Sequence, residues 1–147
     1  NVCSICHLGQ NINLDIDNGK IIPKNIYRGF YVAEKPYEKI YETVKELSID
    51  LYNVEPDYNL VFPKYLLNCR KSIGLAIKPD SIGIYFSQIN VDEFIKFLED
   101  HDYDKKIIKH VKENKNIYET TMFDVAFNFI IKNNKTIITK SSFYGII

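Results

Sequence analysis

The stretch that decides the fold is residues 72–86, SIGLAIKPDSIGIYF, together with the helix signal that follows it. Leu75 and Ile77 alternate with Ala76 and Lys78, which is the pattern of a half-buried strand. Pro79-Asp80 stands where a tight turn belongs. The return strand repeats the alternation with Ile82, Ile84 and Phe86 on one side and Gly83, Tyr85 and Ser87 on the other. We therefore predict a β-hairpin here.

An amphipathic helix is predicted directly after this hairpin. Asn90 is a good N-cap, and Asp92 and Glu93 in the first turn complement the helix dipole. His101-Asp102 is expected to interrupt the helix, and Asp104 can cap a second one. The order of elements in this part of the chain is therefore strand, strand, helix, helix.

The same hairpin pattern occurs twice more. INLDIDNGKII and IYRGFYVA form a first hairpin that is followed by a helix from Pro36, and FDVAFNFIIKNNKTIITKSSFYGI forms a last one. We predict an α+β fold: an antiparallel sheet built from about three β-hairpins, with amphipathic helices packed on one face. Residues 1–147 are expected to form a single domain, in which residues 1–11 are a polar, cysteine-bearing lead-in.

Composition excludes several classes of function. Lys+Arg and Asp+Glu number 19 each, so the net charge is zero. We expect no nucleic-acid partner, because binding to phosphate backbones is favoured by an excess of basic residues. There is no apolar run of the length that a membrane span needs. The 3 cysteines cannot all pair within the chain and no leader is visible, which favours a reducing, cytoplasmic compartment.

The most specific short motif in the sequence is Cys3-Ser4-Ile5-Cys6-His7. Cys-x-x-Cys-His is the attachment signature of a c-type haem, and Cys3 and Cys6 also have the spacing of half a zinc site. The remaining zinc ligands would come from His7, Cys69, His101 or His110. The alternative that we favour is an N-terminal tail with free thiols, and therefore no cofactor.

Strand alternation predicts a second candidate site. If the apolar side of each strand packs on the helices, the other side of the sheet presents tyrosines, lysines and small polar groups. The candidate ligand-binding residues on it are Lys78, Lys140, Tyr31, Tyr85, Tyr144, Asp124 and Asn128. Such a set suits a small anionic ligand, since lysines bind phosphate oxygens and tyrosine faces stabilise cations. The alternative is an ordinary solvent-exposed sheet face.

The repeated strand–strand–helix order, with GFYVA and GIYFS on return strands, resembles a portion of the αββα-barrel aromatic prenyltransferases. That resemblance implies an antiparallel barrel that holds a prenyl diphosphate. It implies that Lys78 and Lys140 bind the diphosphate and that Tyr31, Tyr85 and Tyr144 line the cavity. The family typically has five such repeats, whereas this chain has three hairpins.

The function that we favour from the sequence is a non-enzymatic interaction module. Its contact surface is expected in the tyrosine-rich segment 52–65, at Tyr52, Tyr58 and Tyr65, because tyrosine is enriched at interfaces. The expected partner is another protein or a second copy of the chain. The alternative for this segment is a loop that packs its own aromatic side chains over the core. Whether the chain is an enzyme stays open at this level.

Overall fold

The computed structural model describes residues 7–17, 20–31 and 37–146. Six strands form one antiparallel sheet in sequence order: β1 (His7–Asp17), β2 (Lys20–Tyr31), β3 (Ser72–Ile77), β4 (Ile82–Ile89), β5 (Met122–Lys132) and β6 (Lys135–Ile146). The α-helices are α1 (Tyr37–Tyr52), α2 (Tyr58–Val61), α3 (Val91–Asp100) and α4 (Lys105–Glu113), and a 3₁₀ turn spans Lys64–Asn68. The predicted α+β fold with three hairpins is confirmed.

The first strand begins earlier than the sequence pattern suggests. β1 starts at His7, so the predicted lead-in of residues 1–11 overlaps the strand. Pairing with β2 extends to His7, across an irregularity between His7 and Gly9 at which the register shifts. Residues 1–6, which include Cys3 and Cys6, lie outside the described residues.

Capping residues set the ends of the two central helices. The Asn90 side chain accepts a hydrogen bond from the Glu93 amide, and the Glu93 carboxylate accepts one from the Asn90 amide, which together form a capping box. α3 ends at Asp100, and Asp104 caps α4 through the Lys106 amide. The predicted break at His101-Asp102 is therefore confirmed.

The core lies between the helices and one face of the sheet. Its fully buried members on the strands include Ile73, Leu75, Ile82, Ile84, Phe86, Phe127 and Phe129. Its members on the helices include Ile40, Val44, Phe94, Phe97 and Leu98. Alternate residues of β3, β4 and β5 pack into this core, and the residues between them define the opposite, open face of the sheet. None of the helices among the described residues has the length and apolar character needed to cross a bilayer.

Candidate functional site on the open face of the sheet

The open face is defined by the register of the strands. Residues that pair directly across antiparallel strands share a face. One row runs across the sheet through Tyr27, Ala76, Gly83, Asn128 and Lys140. The next row runs through Gly74, Tyr85, Ala126 and Ser142, and a third pair joins Asp124 to Tyr144. Five predicted residues, Tyr85, Asp124, Asn128, Lys140 and Tyr144, therefore share this surface.

Tyr85 is at the centre of this surface, next to glycine and alanine residues. A Cβ atom placed on Gly83 would meet the Asn128 side-chain oxygen at 2.7 Å and the Tyr85 ring at 3.5 Å. A Cβ atom on Gly74 would meet the Tyr85 Cβ at 3.4 Å. Tyr85 and Asn128 thus occupy the space that larger residues on neighbouring strands would need, and Ala76 beneath them is fully buried.

Burial raises the pKa of Tyr85 above its ordinary value, and the nearby phenols of Tyr27 and Tyr144 raise it further. The phenol therefore stays protonated at neutral pH and can donate a hydrogen bond. Tyr144 is 60% exposed, whereas Tyr27 and Tyr85 are half-buried. The three tyrosines form one aromatic group, which we call the tyrosine patch (Tyr27, Tyr85 and Tyr144).

Sequence reasoning did not single out Tyr27. It lies two residues before Gly29 and four before Tyr31 on the same strand. Strand alternation, which places these three residues on one face, is therefore the sequence signal that could have identified Tyr27. Tyr31 itself pairs with Ser72 through its backbone at the end of β2, and its side chain lies outside the described residues.

The predicted lysines stand at different places on the sheet. Lys140 is exposed on β6 opposite Asn128. Lys78 is in the β3–β4 turn, where its amide donates to the Ser81 carbonyl at 2.9 Å. Since β4 and β5 separate β3 from β6, the two backbones are about 14 Å apart, at about 4.8 Å for each inter-strand step. A single diphosphate held by both lysines would require both long side chains to reach toward each other.

Asp124 has a structural contact. Its carboxylate accepts a hydrogen bond from the Gln88 amide at 2.9 Å. Gln88 has a left-handed backbone, with φ of 62°, at the irregularity between the Phe86 and Ile89 pairs. The carboxylate therefore satisfies an amide that the sheet ladder leaves free at this bulge.

The tyrosines of the segment 52–65 are half-buried against the core. The Tyr52 hydroxyl donates to the Asp80 carbonyl at 2.8 Å. The Tyr58 ring stacks on Phe62, with centroids 5.9 Å apart. Burial raises the pKa of Tyr65 well above its usual range, and Asp100, which is hydrogen-bonded to it, adds to the effect. These side chains fasten the segment to the domain, and the tyrosine patch is the more open aromatic surface.

The predicted metal or haem ligands are not brought together among the described residues. Cys3 and Cys6 lie outside those residues, and so does the side chain of His7. His101 packs against Phe97, with ring centroids 4.4 Å apart, and burial lowers its pKa. Within the part of the chain that the structure describes, no three histidine, cysteine or carboxylate side chains are grouped so as to hold a metal ion.

Comparison with known proteins gives one partial similarity. Residues of this chain are 25% identical over 74 residues to "Putative JmjC domain-containing protein L887" of Acanthamoeba polyphaga mimivirus. The match spans 50% of this chain but 12% of that protein. No protein-family profile matches the chain, and no solved structure matches it significantly. The similarity is too short and too distant to bring an activity to this chain.

Proposed function

We propose that the chain is a non-enzymatic binding module that contacts a partner protein through the tyrosine patch on the open face of its sheet. The observation that carries the proposal is the arrangement around Tyr85, which lies half-buried on a face opposite to the helix layer. Aromatic side chains held rigidly on a strand lose little conformational freedom on binding, and tyrosine is prominent among binding hot spots.

The surroundings of the tyrosine patch support the same reading. Asn128, Lys140 and Ser142 lie beside it across the strands and supply polar groups around an aromatic centre. Protein interfaces have this composition, with an aromatic centre and a polar rim. The raised pKa of Tyr85 suits a hydrogen-bond donor in a contact surface, because the phenol does not ionise near neutral pH.

The test is partner capture with matched surface variants. Tyr144→Ser removes an aromatic ring that is 60% exposed on the open face, and Ile117→Ser removes an apolar side chain that is 66% exposed in the turn between α4 and β5. We expect proteins captured by the unchanged chain and by Ile117→Ser to be depleted on the order of tenfold with Tyr144→Ser, since that corresponds to about 1.4 kcal/mol. Equal capture by both variants would contradict the proposal. A Tyr85→Phe variant removes the hydroxyl and keeps the ring and the fold. Any loss of capture by this variant is therefore due to the missing hydroxyl and not to unfolding.

As the alternative, we propose a small anionic ligand, namely a prenyl diphosphate, on the same face. The observation that favours it is the position of Lys140 across from Asn128 and in the row next to Tyr85. Calorimetric titration with dimethylallyl diphosphate, with inorganic pyrophosphate as control, tests this alternative. We expect binding that needs the prenyl group and that weakens about tenfold in Lys140→Ala, since a charge-assisted contact is lost. Absence of heat with both ligands would exclude it.

A further inference from the structure

The edge formed by β6 is a second surface of the domain, distinct from the tyrosine patch. Among the described strands, β6 pairs only with β5 and therefore has one side on which alternate N–H and C=O groups have no strand partner. The strand is 12 residues long. Ile137 on it is 41% exposed. A long edge with exposed apolar side chains is a template for pairing with another strand.

Besides ring contacts of Phe143 with Phe94 and Tyr103, two hydrogen bonds join the helix layer to β6. The Asp57 amide donates to the Thr136 hydroxyl at 2.9 Å. The Ser141 hydroxyl donates to that of Tyr103 at 3.1 Å. Thr136 pairs with Ile131 and Ser141 pairs with Phe127, so the two contacts are four β5 residues apart, or about 13 Å.

A groove lies at each of these contact points. The first, of about 440 Å³, is lined by Glu55, Pro56, Asp57, Asn134, Lys135 and Thr136. The second, of about 320 Å³, is lined by Asp100, His101, Asp102 and residues 138–141. Each groove is lined by two carboxylates from the helix layer and by one lysine of β6, Lys135 or Lys140. Burial keeps His101 uncharged, so the imidazole adds no opposing charge.

Much of this negative charge is available to a partner. Asp102 is exposed and forms no ion pair with any side chain in the described ranges. Asp100 and Glu55 have lysine partners, Lys96 at 2.6 Å and Lys45 at 3.1 Å, in largely solvated pairs that are weak in water. Asp100 is also hydrogen-bonded to Tyr65. A cation that approaches along the β6 edge therefore meets, at each groove, one carboxylate that has no ion pair within the described ranges, Asp57 or Asp102.

We propose that the free edge of β6 binds an extended basic segment of a partner protein, which adds to the sheet as a further strand. Residues four apart on a strand point to the same face. Two lysine or arginine side chains with that spacing enter the two acidic grooves, while apolar side chains of the segment cover Ile137. This inference rests on the backbone edge of β6 and its two grooves and not on the function proposed for the tyrosine patch, although Tyr144 of that patch also lies on β6.

The test uses a synthetic peptide probe and the isotopically labelled full chain. The probe alternates threonine and valine and carries two lysines four positions apart; the control peptide has the same composition with its lysines three positions apart, so that they point to opposite faces. We expect the probe to shift the amide resonances of β6, to bind about tenfold more tightly than the control, and to weaken with added salt.

Matched variants separate this site from general charge effects. Asp100→Asn combined with Asp102→Asn is expected to weaken probe binding about tenfold, and asparagine tolerates the left-handed backbone of residue 102, where φ is 52°. Glu42→Gln with Glu46→Gln removes the same charge from exposed positions of α1 and is expected to leave binding unchanged. Equal binding of both peptides, equal weakening by both double variants, or no binding would overturn the proposal. A dimer formed through β6, seen by light scattering, would also overturn it, because a second copy would then occupy the edge.

Discussion

Phe86→Ala is expected to lower the free energy of unfolding by about 3–5 kcal/mol. Phe86 is fully buried on β4, between Ile73 on β3 and Val125 on β5. Its ring contacts Phe62 edge-on at 6.0 Å and Phe127 at 6.1 Å, so it joins the segment after α1 to the centre of the sheet. Alanine would remove both contacts and leave a cavity that a close-packed sheet cannot fill.

Urea unfolding followed by circular dichroism measures this loss. Because a domain of this size has a total stability of about 5–15 kcal/mol, the alanine variant is measured at low temperature or with a stabilising osmolyte, so that a folded baseline is seen. Phe86→Leu provides the milder companion, with an expected loss of about 1–2 kcal/mol. A loss below about 1 kcal/mol for Phe86→Ala would contradict the packing described for the core.

Raising the pH from about 9 to about 12 is expected to destabilise the fold through Cys69. The thiol is 4% exposed. Burial, and secondarily the charge of Glu93, raises the pKa of Cys69 from 9.0 to about 12. The unfolded chain therefore releases this proton at lower pH than the folded chain. The stabilisation is fully present below pH 9.0, is lost as the pH rises to about 12, and amounts to at most about 4 kcal/mol.

Tyr37 acts in the same direction over a narrower range. Burial raises its pKa from 10.0 to about 12, with smaller contributions from Cys69 and Glu93, and its hydroxyl donates to the Leu67 carbonyl. Urea midpoints measured at several pH values should therefore fall above about pH 9 in the unchanged chain. In Cys69→Ala the fall should begin nearer pH 10.0, where Tyr37 and the other phenols whose pKa burial raises, such as Tyr65 and Tyr85, contribute. Identical pH profiles would show that the thiol does not titrate as described, as would rapid reaction of the folded thiol with a disulfide reagent at about pH 8.

Local signals in the sequence were sufficient for the three hairpins and for α1, α3 and α4, but not for the short helix α2 or for the start of β1. The alternation around Leu75 and Ile84 predicts two strands because one side of each must be buried. Asn90 and Asp104 predict the starts of α3 and α4 because their side chains satisfy amides that lie within three residues. These interactions involve neighbours in the chain, so the sequence by itself determined them, along with the three-hairpin α+β architecture.

Only the tertiary structure decided which residues meet. The register places Tyr85 over Gly74 and Gly83 and beside Tyr27 and Tyr144, which come from strands far apart in the sequence. The same register leaves β6 at an edge and sets acidic groups of the helix layer beside it. Such contacts depend on how separate elements pack and pair, and no local pattern encodes those distances. The sequence determined the strands and helices of this protein, and packing between them decided its open face, its free edge and therefore its candidate binding sites.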